Sequence, residues 1–139
     1  MLKKILLSVL LLFALLVGFL AIAIYLDSIA EQQATGFCDA IPLAIPIDVA
    51  HFKQTVLRTQ PMIISGLGND QAGDFRFHIN ARHDVITEQT IAVSGMEELL
   101  NKADEAYISV WFHQGFLLFG HGCEIHVVQQ RVSRKRVAD

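Results

Sequence analysis

Six histidines and two cysteines are the most chemically versatile residues of this 139-residue chain, and four of them fall between His113 and His126. His113, His121, Cys123 and His126, with Glu124 beside them, include the residue types that hold zinc. A zinc site needs three or four such ligands converging tetrahedrally. On a strand, however, His121 and Cys123 project to one side and Glu124 and His126 to the other, so convergence requires a bulge at Gly120 or Gly122. Neither Cys-x-x-Cys nor His-Glu-x-x-His is present. Histidines on a polar strand face are the simpler expectation, and no metal or cofactor is expected.

Other chemical motifs are as thin. Gly66-x-Gly68 follows an apolar stretch, but position 71 is Gln rather than the third glycine of a dinucleotide loop. The alternation from Asp74 onward predicts a strand where that loop needs a helix, so Gly66 to Asp70 reads as a turn. Ser65-Gly66 and Ser94-Gly95 lack the Gly-x-Ser-x-Gly elbow of a nucleophilic serine. Asp74, Asp84, Glu88, His78 and His83 fit the solvated face of a hairpin, with Arg76 and Glu88 expected to pair across strands. No catalytic residue is expected.

The cysteines have two readings. In an oxidising compartment Cys38 and Cys123 form a disulfide, and chain entropy gives a bridge of this span about 4.6 kcal/mol, with real values often lower. The alternative is a pair of buried thiols.

What positions these residues starts with the membrane. Ile5 to Leu26 carries no charge, with Lys3 and Lys4 before it and Asp27 after it. As a helix it reaches about 33 Å, enough for the roughly 30 Å hydrocarbon core. Its Leu, Ile, Val and Phe content favours insertion by several kcal/mol. The two lysines stay cytoplasmic by the positive-inside rule, which sends the rest outside the cytoplasm. The alternative is a secreted domain released by cleavage after Ala23, since Ala21-Ile22-Ala23 has the small-x-small form. Against it, the apolar run continues through Ile24, Tyr25 and Leu26.

Beyond the anchor lie all 14 acidic residues and every basic residue except Lys3 and Lys4, a net charge of −5 that argues against nucleic-acid binding. The remaining length suits one small core. Gly36 is expected to end the membrane helix, and Pro42 and Pro46 mark an extended connector. Val49, Phe52, Val56 and Leu57 form one stripe of a helix over 47–60, stopped by Pro61. Met62 to Ser65 reads as a short strand. Asp74 to Arg82 reads as a strand with Phe75, Phe77, Ile79 and Ala81 on one side. Val85 to Val93 is rich in β-branched residues and reads as another strand. Ser94 and Glu97 form a capping box for a helix to about Ala103. Tyr107 to His113 and Phe116 to Gln130 read as a hairpin joined at Gln114-Gly115, with Cys123 on the core side. Arg131 to Arg136 reads as an edge strand or a frayed tail.

Two features suggest contact with partners. Phe116-Leu117-Leu118-Phe119 places four apolar residues at a hairpin, buried or exposed as a patch. Arg134, Lys135 and Arg136 suit anionic headgroups or an acidic partner, or simply a charged edge that resists aggregation.

The Pro46-Ile47-Asp48-Val49 helix start and the Cys123-Glu124-Ile125-His126-Val127 strand, in a helix-then-strands order after an export segment, resemble the small envelope domains of the SmpA/OmlA (BamE-like) group. That resemblance implies an α+β envelope domain. The chain departs from the group in having no lipobox, with Cys38 well beyond the apolar run, and no lipid anchor or site residue is carried over.

The expected fold is α+β. A cytoplasmic N-terminus (1–4) precedes a transmembrane signal-anchor (5–26), a juxtamembrane linker (27–46) and a small extracytoplasmic domain (47–139). The domain would have one or two helices on an antiparallel sheet of about four strands. The expected function is that of a single-pass cell-membrane protein whose domain, periplasmic in a Gram-negative envelope, binds another envelope protein without catalysis. A ligand- or metal-handling domain built on the histidines is the alternative.

Overall fold

The computed structural model describes residues 2–71, 73–81, 85–113 and 120–139. The elements are α1 (Leu2–Ala40), α2 (Val49–Thr59), β1 (Ile63–Asp70), β2 (Gly73–Asn80), α3 (Glu88–Val93), α4 (Met96–Lys102), β3 (Glu105–Phe112), β4 (His121–Val128) and β5 (Arg131–Ala138). The architecture is α+β: a long apolar helix, then helices on one antiparallel sheet ordered β2-β1-β3-β4-β5. The sheet has five strands where about four were expected.

Helix α1 contains a stretch long and apolar enough to cross a membrane, with mean hydropathy 3.1 and none of it buried. It does not end at Gly36. It runs 39 residues, about 58 Å. Residues 27–40 of the expected linker are helical, and Ala30, Ala34, Phe37, Cys38 and Ile41 enter the core. Gly36 lies on the open side of the helix, where its cost of about 1 kcal/mol is small against that buried stripe.

Phe37 is the centre of this packing. Its ring meets Phe52 of α2 edge-on at 5.7 Å and Phe112 of β3 at 5.8 Å. Cys38 is bonded to Cys123 of β4. Lys135 of β5 donates Nζ to the Cys38 carbonyl at 2.6 Å and the Ile41 carbonyl at 2.9 Å. A cation thus caps the carbonyl end of α1, where the helix dipole favours positive charge. Nearer the apolar stretch, His121 of β4 lies between Asp27 (Nε2, 3.2 Å) and Asp139 (Nδ1, 3.1 Å).

The remaining helices cap locally. Asp48 accepts from the Ala50 and His51 amides at the start of α2, and Gln60 closes it in the left-handed region before Pro61. The Val85–Val93 strand is not formed: Thr87 caps α3 by accepting from the Thr90 amide, and Ile86 and Ile91 are buried. Packing and a cap outweigh β propensity there. The Ser94–Glu97 capping box is not formed either. Ser94 donates to the Ile91 carbonyl at the end of α3, and Gly95, at φ +80, starts α4.

Gly66 and Gly68 lie inside β1 rather than in a turn. Both face α4. A Cβ on Gly66 would collide with the Phe77 ring and lie 2.8 Å from Leu99, and one on Gly68 would lie 2.6 Å from Leu99. The glycines therefore admit the helix against the sheet.

Reducing the disulfide, or Cys38→Ser, is expected to lower stability by about 2–5 kcal/mol. Denaturant unfolding of the full chain in detergent micelles, followed by Trp111 fluorescence, measures this. An unchanged midpoint would show that the bridge carries no stability.

Candidate functional site

Helices α1 and α4 pack on one face of the sheet, and no described element lies over the other. Strand alternation fixes what that open face presents. Cross-strand register aligns Arg76 (β2), Leu67 (β1), Tyr107 (β3), His126 (β4) and Arg134 (β5) in one row. The next row is His78, Ser65, Ser109, Glu124 and Arg136. Leu67 and Tyr107 are each 50% exposed.

The centre of the first row is ordered by its neighbours. The Tyr107 and His126 rings stack at 4.4 Å, 12° from parallel. His126 Nε2 lies 2.9 Å from Glu105 Oε1, and the Tyr107 hydroxyl donates to the same oxygen at 3.0 Å. On the other side of the ring, His126 Nδ1 lies 3.0 Å from the Ser133 hydroxyl. These bonds hold the Glu105 carboxyl below its usual range, with His126 the larger cause and Tyr107 the second. Glu105 in turn raises the Tyr107 phenol above its ordinary value.

Ser133–His126–Glu105 has the connectivity of a serine–imidazole–carboxylate relay. Ser133 sits at the β-bulge between His126 and Val127, and its hydroxyl also lies 3.1 Å from the His126 carbonyl. It is thereby engaged with the irregular backbone as well as with the ring. Open depressions flank Tyr107. One, of about 460 Å³, is lined by Glu124, His126, Arg134 and Arg136; the other, of about 560 Å³, by Leu67, Arg76 and His78.

The residues singled out by type are dispersed. Cys123 is held in the disulfide, and His121 and His126 sit on opposite faces of β4, so these three candidate ligands do not converge. Glu88 is in α3 and does not pair with Arg76 across strands. Arg134, Lys135 and Arg136 are not one patch: alternation sends Lys135 to α1 and the two arginines to the open face. Arg136 there pairs with Glu124. Phe116, Leu117 and Leu118 lie outside the described residues, as do His83 and Asp84. In sequence the glycine neighbours of Leu67 read as a turn, and only register shows what stands beside Tyr107.

A group whose folded pKa is depressed stabilises above its unfolded pKa, and that stabilisation is lost as pH falls through the folded value. Glu105 is such a group. Glu105→Gln is expected to make the acid-side loss of stability shallower and to move the Tyr107 transition to lower pH. Tyrosine absorbance titration reads the second effect, and an unmoved transition would refute the coupling.

No protein family, curated protein or solved structure matches the chain, so the site rests on its own geometry.

Proposed function

We propose that this is a single-pass membrane protein whose domain is held outside the cytoplasm and docks another envelope protein on its open sheet face, without catalysis. One observation carries the reading: α1 passes without interruption from the apolar stretch into the domain core, so the bare face is held in a fixed relation to the bilayer. The Cys38–Cys123 disulfide supports an oxidising compartment. Lys3 and Lys4 support a cytoplasmic start. The membership suggested by the SmpA/OmlA resemblance is compatible with this role and supplies no residue to it.

A photo-crosslinking residue at Leu67 or Tyr107, in native membranes, is expected to give discrete protein adducts. The same residue at Val93, 80% exposed on α3, serves as the control from the helical side. Adducts that are absent at both sheet positions, or identical at all three, would refute docking on this face. A reporter fused after Asp139 is expected to be active only outside the cytoplasm; cytosolic activity would overturn the topology.

A further inference from the structure

The geometry points to a specific kind of occupant for the open face: an extended protein segment with an apolar centre and acidic ends, lying across the strands along the Arg76–Leu67–Tyr107–His126–Arg134 row. This rests on the docking reading and names its chemistry.

The argument begins with which cations are already matched. Lys53 pairs with Glu97, Lys102 with Glu98 and Arg136 with Glu124, while Lys135 is held by α1 carbonyls. Arg58, Arg76, Arg131 and Arg134 have no carboxylate partner among the described residues. The last three lie at positions of the open-face parity, while Arg58 is exposed on α2. The residues beyond the apolar span carry a net charge of −5, yet three of these four unmatched arginines lie on the face that no described helix covers. Arginine is suited to carboxylates because its planar fork can bind both oxygens.

Spacing then sets the segment. Arg76 and Arg134 lie on the two edge strands. Four inter-strand steps separate them, about 19 Å. An extended chain covers that in about six residues. Between the two charges stand Leu67 and Tyr107, each half-exposed, with the His126 ring stacked on Tyr107 and held by Glu105 and Ser133. Rigid aromatics flanked by arginine form the sort of surface on which binding energy concentrates, since little side-chain entropy is lost on contact.

The test uses the full chain in nanodiscs of zwitterionic phosphatidylcholine, so that no lipid supplies an anion. The probe is a labelled peptide with glutamates at both ends of an apolar run, about six residues apart. Anisotropy is expected to show binding that weakens as salt rises. Arg76→Gln and Arg134→Gln should each weaken it about two- to fivefold. Arg134→Lys should retain more binding than Arg134→Gln, and Tyr107→Ala should weaken it as well. Arg58→Gln, exposed on α2, should leave it unchanged. An unaltered unfolding midpoint in the arginine variants would exclude misfolding as the cause.

The inference is overturned by any of several results: no binding, equal binding of a peptide with glutamine for glutamate, equal affinity in Arg76→Gln/Arg134→Gln, or tighter binding of anionic vesicles or a single-stranded oligonucleotide. Peptide failure with crosslinks preserved at Tyr107 would sink only the acidic-segment assignment. Loss of those crosslinks would sink the docking reading itself.

Discussion

The insertion of the far end of α1 into the domain core is the constraint on which the rest depends. Ala30 and Ala34 are small enough to bring the helix close to the sheet, and Phe37 then fills the space between α2 and β3. The disulfide from Cys38 and the Lys135 cap hold the same turn from β4 and β5. Without α1 the inner faces of β3, β4 and β5 would lose the helix that covers them. The helix that carries the apolar stretch is therefore also a wall of the domain.

That arrangement explains why one sheet face is closed and the other open. Ala106, Ile108 and Val110 on β3, with Cys123, Ile125 and Val127 on β4, turn toward the helices. The intervening residues must then turn away. At the β1 side, Gly66 and Gly68 let α4 approach the sheet. Every helix is committed to the inner face or to its neighbours there. The outer face is left with the Tyr107–His126 stack and flanking arginines, open to solvent.

Parts of this were legible beforehand. The alternation of Phe75, Phe77 and Ile79 against Asp74, Arg76 and His78 named β2 and its faces. The parity of Cys123, Ile125 and Val127 placed Cys123 in the core. Val85 to Val93 looks like a strand by its β-branched residues, but the Thr87 cap and the burial of Ile91 make it a helix. Gly66-Leu67-Gly68 misled because a glycine that relieves a clash looks, in sequence, like a glycine that makes a turn. Arg134, Lys135 and Arg136 misled as a charge run because neighbours on a strand face opposite ways.

The sequence by itself determined the apolar span, the α+β class and most strand faces, since these follow from composition and from repeats of two or 3.6 residues. Only the tertiary structure decided that α1 runs on through Gly36, that the sheet has a fifth strand, and that Arg76 and Arg134 end a row through Tyr107. These depend on which residues meet across large separations in the chain. Local propensity carries no information about such meetings; they are settled by packing, where the burial of Phe37 against distant partners outweighs the small cost of one helical glycine.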